Sequence, residues 1–179
     1  MEILKRTART LCFLLKVLFK KSIIISPNGK KSQCSRSCDF NCDKKSEIYI
    51  GKINALPNVH IGAVDGGKIY FGDNVFLNRN CIIVSKESIK IGDNCSFGPN
   101  VCIYDHDHTF GRAKQNGETF RCKPVSIGSG CWIGANVTIL KGTQIGDNCV
   151  IGAGCVISGT IPANTLVKAD RSFTAEPIE

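Results

Sequence analysis

A six-residue beat runs through this chain from Phe71 to about Ile161. Every sixth position is bulky and apolar: Phe71, Leu77 and Ile83, then after a two-residue slip Ile91, Phe97 and Ile103. The frame resumes at Ile127 and continues through Ile133, Ile139, Ile145, Ile151 and Ile157. Four places after these anchors come compact residues, among them Val75, Cys81, Cys95, Val101, Cys131, Val137, Thr143, Cys149 and Cys155. Gly-x-Asn turns punctuate the run, as in Gly92-Asp93-Asn94 and Gly134-Ala135-Asn136. A fixed short period is the mark of a solenoid. Three hexads make one triangular coil, each supplying a flat face and a corner, with the anchor filling the interior. Gly and Asn at the corners tolerate the positive φ that a sharp turn needs. Ordinary sandwich strands would let the alternation vary in register, and here the spacing is fixed.

The pattern therefore predicts an all-β solenoid, a parallel β-helix of hexapeptide repeats, over residues 48–167. Its coils read as 71–90, 91–108, 127–144 and 145–162, with Ile53, Val59 and Ile61 in an earlier, less regular coil. Residues 109–126 form one long inserted loop. Residues 26–47, rich in Ser, Lys, Asn and Gly, read as a linker, and residues 168–179 as a tail.

Eleven cysteines would suit a secreted disulfide scaffold, but five of them occupy the compact corner position, where Cys serves as a small hydrophobe. That usage fits a reducing compartment and a cytoplasmic protein. Cys34, Cys38 and Cys42 are spaced by four, a helical interval that could gather a metal. No fourth ligand is evident, so no metal is expected and these read as solvent-side thiols. Charge is concentrated at one end. Residues 1–45 carry eleven Lys or Arg against three acids, and the remaining residues carry twelve of each. A neutral body lacks the basic footprint of a nucleic-acid binder.

The basic N-terminus also contains the apolar run Leu11 to Phe19, interrupted by Lys16. It is too short and too charged to span a bilayer, and no small-residue cleavage site follows it. Residues 1–25 read as a basic amphipathic helix, with two open roles. It could cap the exposed end of the β-helix, or lie as a peripheral element on an anionic membrane face.

Only three histidines occur, and two of them fall in Tyr104-Asp105-His106-Asp107-His108, just before the inserted loop. A long loop in a strict repeat is usually functional, and imidazole is the side chain best suited to move a proton near neutral pH. No Gly-x-Ser-x-Gly elbow, phosphate-binding glycine loop or HExxH is present. Direct transfer with a histidine base is what remains. His106 reads as supporting the segment, Asp105 and Asp107 as orienting His108 or facing solvent, and His60 as a solvated surface residue.

Several stretches carry a family resemblance: Phe76-Leu77-Asn78-Arg79-Asn80, Gly98-Pro99-Asn100-Val101, Asn116-Gly117-Glu118, Cys131-Trp132-Ile133-Gly134 and Ile151-Gly152-Ala153-Gly154. Over Gly72 to about Asn164 the chain resembles the hexapeptide-repeat acyltransferases of the galactoside/maltose O-acetyltransferase type. It is similar as well to the O-acetyltransferases of bacterial surface polysaccharides. The resemblance implies a left-handed β-helix assembled as a homotrimer, with acetyl-CoA bound between neighbouring prisms. It implies His108 as catalytic base and Asn78 as acceptor ligand from the adjoining subunit, with His106 and Asp107 beside the acceptor. It places Trp132, Ala135, Ala153, Ser158 and Gly159 against the coenzyme. The family's basic tail is replaced by Lys168-Ala169-Asp170-Arg171, where Lys168 and Arg171 stand in for the phosphate ligands. The expected activity is acetyl-CoA-dependent transfer to a sugar hydroxyl without an acyl-enzyme. The alternatives are an N-acetyltransferase of an amino sugar, a xenobiotic acetyltransferase, a γ-type carbonic anhydrase with three histidines on a metal, and a non-catalytic scaffold.

Overall fold

The computed structural model describes residues 2–17, 20–109 and 119–169. The anchors stack as the hexad frame requires. On one face Ile50, Phe71, Ile91, Ile127, Ile145 and Ile161 stand in successive register across parallel strands. On the second face the column is Ala55, Leu77, Phe97, Ile133, Ile151 and Val167. On the third it is Ile61, Ile83, Ile103, Ile139 and Ile157. Three parallel sheets of seven, seven and six strands thus enclose one apolar prism, and each anchor from Phe71 to Ile157 is buried. The period of two within each short strand turns the residues beside an anchor outward, so the sheets are apolar inside and mixed outside.

The corners are built by the residues that the repeat places there. Asn58, Asn74, Asn80, Asn94, Asn100, Asn136, Asn148 and Asn164 all sit at positive φ, between 55° and 64°. The same side chains bond along the axis. Asn58 donates to Asn80, Asn80 to Asn100 and Asn100 to Asn136, at 2.9–3.2 Å. The compact corner residue does more than save space. The thiols of Cys81, Cys95, Cys131 and Cys149 donate to carbonyls of the next coil at 3.0–3.2 Å, and Thr143 Oγ1 donates to the Ile157 carbonyl at 3.1 Å. Gly98 has no room for a side chain, since a Cβ would lie 2.7 Å from the Ala135 nitrogen.

Two sequence expectations change at the N-terminus. The helix, α1, spans Glu2–Val17 rather than 1–25, and Ile23–Ile25 is already a strand of the first face. The segment 26–47 is not a linker. It contains the strands Gln33–Cys34 and Asp39–Cys42, which pair with Ile53–Ala55 and His60–Ala63 and complete a first coil. Its polar composition hid it because this coil uses Cys34 and Phe40 where later coils use Leu and Ile. The four-residue spacing of Cys34 and Cys38 is thus the anchor-to-corner interval of a hexad. Both thiols are buried and only Cys42 is partly open, so the solvent-side reading is wrong for two of the three.

Helix α1 closes the open end of the prism. Phe13 and Val17 are buried, and Phe13 meets Phe40 edge-on at 5.7 Å. Lys16 Nζ donates to the Cys38 carbonyl at 2.6 Å and Lys20 Nζ to the Phe40 carbonyl. These acceptors lie on the first third-face strand and its leading corner, where the sheet has no further neighbour. Two ammonium groups therefore satisfy carbonyls at an edge that would otherwise template pairing with another chain.

Candidate active site

The inserted segment leaves at the corner between the third and first faces. His106–His108 forms a short antiparallel hairpin with Phe120–Cys122, His108 standing opposite Phe120. The Thr109 amide continues the ladder to the Thr119 carbonyl at 2.9 Å. Residues 110–118 lie outside the described residues, so the Asn116-Gly117-Glu118 stretch does too. Val125–Ile127 already belongs to the next first-face strand, which shortens the excursion at its C-terminal end.

Asp105 fixes the root of this hairpin. Its carboxylate is fully buried, and Oδ2 accepts from Ser85 Oγ at 2.6 Å and from the Glu87 amide at 2.9 Å. Oδ1 accepts from the Lys86 amide at 2.9 Å and lies 3.0 Å from His106 Nδ1. Asp105 thus does not face solvent, and the histidine it bonds is His106 rather than His108; it pins the hairpin to the corner of the coil below. A buried carboxylate meeting four donors is satisfied, and removing it orphans them.

The remaining residues are layered outward from that root. His106 is wedged edge-on between Tyr104 and Phe120, with ring centres at 6.2 and 5.5 Å. The Asp107 carboxylate is paired with Lys141 from the corner of the next coil. His108 is exposed, its ring 4.7 Å from that of Phe120, and Lys86 Nζ sits 3.8 Å from the centre of the same phenyl ring. Phe120 is therefore the floor of the site, holding one imidazole for solvent and another for support. Sequence reasoning missed Phe120, Lys86 and Lys141. Their pairing depends on how far the hairpin folds back, which no hexad register encodes. His60, on the third face, lies 3.0 Å from Asp39 and is not simply solvated. Among the described residues no group of three His, Cys, Asp or Glu side chains could hold a metal ion.

The other predicted residues gather elsewhere on the prism. Asn78, Ala135, Ala153 and Lys168 follow second-face strands and occupy the corner between the second and third faces, while Trp132 is on the second face itself. Asn78 Oδ1 accepts from the Arg79 amide at 2.8 Å. Ala135 and Ala153 stack, the Gly154 amide bonding the Ala135 carbonyl at 2.8 Å. Trp132 is 60% exposed and Leu166 56% exposed. With Val150 between them in register, they form an apolar stripe along the outer second face. Ser158 and Gly159, exposed and with Gly159 at φ 84°, instead share the hairpin's corner. Lys168 is exposed just past the last strand, and Arg171 lies outside the described residues. One chain thus holds the His108 imidazole at one corner of the triangle and the apolar stripe on the second face.

Comparison with known proteins agrees with this architecture. Residues 124–159 match the family described as bacterial transferase hexapeptide, and residues 69–104 match the hexapeptide repeat of succinyl-transferase. The galactoside O-acetyltransferase of Escherichia coli is 39% identical over 102 residues, covering 56% of this chain and 50% of that protein. WbbJ of Escherichia coli, whose name proposes for it an O-acetyl transferase role in lipopolysaccharide biosynthesis, is 37% identical over 120 residues, covering 61% of this chain and 60% of its own. A galactoside acetyltransferase solved in complex with coenzyme A superposes with a TM-score of 0.53 at 26% identity, covering 92% of this chain and 76% of the other. The chain spans between half and two thirds of the length of such curated relatives. The repeat, the stacked prism and these likenesses agree: the chain carries transferase hexapeptide repeats over residues 69–104 and 124–159 and is similar to galactoside O-acetyltransferases.

Proposed function

We propose that this protein is an acetyl-CoA-dependent O-acetyltransferase that modifies a sugar hydroxyl during surface-polysaccharide assembly, with His108 as general base. The observation that carries this reading is an exposed imidazole on a hairpin whose root is a fully buried, four-fold bonded carboxylate. A base must be accessible yet fixed in place, and this arrangement supplies both. The apolar stripe of Trp132, Val150 and Leu166 suits the thin pantetheine arm of coenzyme A, and Lys168 stands at its end as a phosphate ligand, with Arg171 as a second.

Because those groups lie on different sides of one prism, the reading needs a neighbouring copy. A homotrimer sets the His108 corner of one prism against the Asn78 corner and the Trp132 face of the next. In that groove His108 takes the proton from the acceptor hydroxyl as its oxygen attacks the thioester carbonyl. The C–S bond then breaks, the acetyl ester forms, and the proton passes from the imidazolium to the departing thiolate. General base catalysis of this kind contributes about 10²–10⁴-fold. A backbone N–H beside the hairpin would hold the oxyanion. His106 and Asp107 bound the acceptor side. Since acetyl-CoA is a metabolite of the cell interior, the step is cytoplasmic, at the inner membrane face where a lipid-linked acceptor would be met. An amino-sugar acceptor would use the same base and groove.

Mass-spectrometric detection of acetyl products across sugars, nucleotide sugars and amino sugars tests the reading. Transfer to hydroxyl acceptors that His108→Ala abolishes while still folding supports it. A variant keeping more than about a tenth of wild-type turnover removes His108 from the role, given the magnitude expected of a base.

A further inference from the structure

Helix α1 has more apolar surface than its cap uses. The buried side presents Phe13 and Val17 to the prism, but Leu11 and Leu15, one turn apart, point the other way and are 57% and 59% exposed. An ordinary surface helix is polar on the side away from its core. Here Leu11 and Leu15 border a shallow concavity that also takes in Ala8, Lys16 and Arg36. Lys5 and Arg9 line the next depression along the helix and are exposed.

Lys16 and Lys20 are occupied in closing the edge carbonyls, while Lys5, Arg6, Arg9 and Arg36 are exposed cations around the leucines. The whole net charge of +8 resides in residues 1–45, while the rest of the chain is balanced. A single end of the solenoid therefore combines two unpartnered leucines with a positive field. A second copy of this chain fits poorly there, because two such ends would bring like charges together. A bilayer with anionic headgroups satisfies both halves at once. The leucines enter the boundary of the acyl region while the longer cationic side chains reach the phosphates.

We propose that the α1 end of the prism docks on an anionic phospholipid surface through Leu11 and Leu15, with Lys5, Arg9 and Arg36 over the headgroups. This deepens the location assigned under the proposed function, since it stands the solenoid on the membrane by its first coil and leaves the His108 corner on the side wall. No helix among the described residues is long and apolar enough to cross a membrane, so the contact is peripheral.

Flotation of the full-length protein with phosphatidylcholine vesicles, with and without phosphatidylglycerol, tests it, acetyl transfer being followed separately. The protein is expected to float only with the anionic vesicles and to be released by salt. The double variant Leu11→Ser/Leu15→Ser should bind at least about tenfold more weakly, and Lys5→Glu/Arg9→Glu likewise. Thermal unfolding of both should be little changed, because these four side chains are exposed on α1 and lie away from its buried Phe13 and Val17. Equal binding to neutral vesicles, undiminished binding by either variant, or a change in oligomer size without a change in flotation would overturn the docking surface. Vesicle binding that persists in a protein without transfer activity would instead count against the enzymatic reading alone.

Discussion

Replacing Asp105 with Asn separates the anchoring of the hairpin from its chemistry. The carboxylate serves two donors on each oxygen: Ser85 Oγ and the Glu87 amide on Oδ2, the Lys86 amide and His106 Nδ1 on Oδ1. An amide of the same shape keeps one oxygen and turns an NH2 toward the other pair. Whichever way it is seated, one buried backbone N–H loses its acceptor. An orphaned donor costs about 1–3 kcal/mol and the lost charge-assisted bonds add to it, so about 3 kcal/mol is expected in total. If the solenoid melts as a unit, that lowers its midpoint by about 6–12 °C. Coils couple chiefly to their neighbours, so the damage should be concentrated around residues 85–87 and the hairpin. Amide hydrogen exchange reads this directly, through faster exchange at Lys86 and Glu87 with protection retained at Ile139 and Ile151. Turnover should fall about ten- to hundredfold as His108 loses its fixed position. An Asp105→Asn protein with native exchange at both amides and a midpoint within 2 °C of wild type would refute the account of the root.

Further outcomes follow from other contacts. Lys141→Met leaves Asp107 without its cation and should reduce kcat/KM about three- to tenfold, with Lys141→Arg restoring most of it, as steady-state kinetics would show. Trp132→Ala removes the one aromatic side chain of the apolar stripe and should raise KM for acetyl-CoA by about tenfold with little change in kcat, reflecting one lost aromatic contact. Asn100→Ala puts a residue that lacks the tolerance of Asn for the left-handed region at φ 60° and breaks two rungs of the Asn ladder, costing about 1–2 kcal/mol in denaturant titration, whereas Asn100→Gly should cost less. Burial pushes the Cys81 thiol up to about 11 from an ordinary 9.0. A raised folded-state value means stability is complete below about pH 9 and declines as pH rises toward 11, by about 2–3 kcal/mol at the limit. Urea unfolding across that range should show the decline, and Cys81→Ala should flatten its share.

The prism was legible because its code is local and repeated. An anchor such as Ile133 and a corner such as Asn136 declare themselves by spacing alone, and both lie where the period puts them. The first coil was not legible, since Cys34 and Phe40 fill anchor positions in a stretch whose polar residues form its corners. The cap's two lysines were read as helix charge, because a carbonyl edge in need of donors exists only once the strands have stacked. At the site, His108 stood out through its motif and the loop that follows. Asp105 did not, because the donors it satisfies come from a coil twenty residues earlier, brought beneath it by the third-corner turn. Phe120 and Lys141 depend on the hairpin's fold-back in the same way. Repetition encodes the scaffold, and the interruption of the repeat has to be seen in three dimensions.

The account stands or falls on a reaction centre shared between copies, and complementation measures that directly. His108→Ala and Asn78→Ala chains, each inactive alone, should regain activity when co-expressed. In a three-fold ring with random mixing, about a quarter of the sites join an intact imidazole to an intact Asn78 from the next copy, so about a quarter of wild-type turnover is predicted. Mixed assemblies no more active than either parent, or an Asn78→Ala protein that is fully active by itself, would contradict a groove built from two corners of neighbouring prisms.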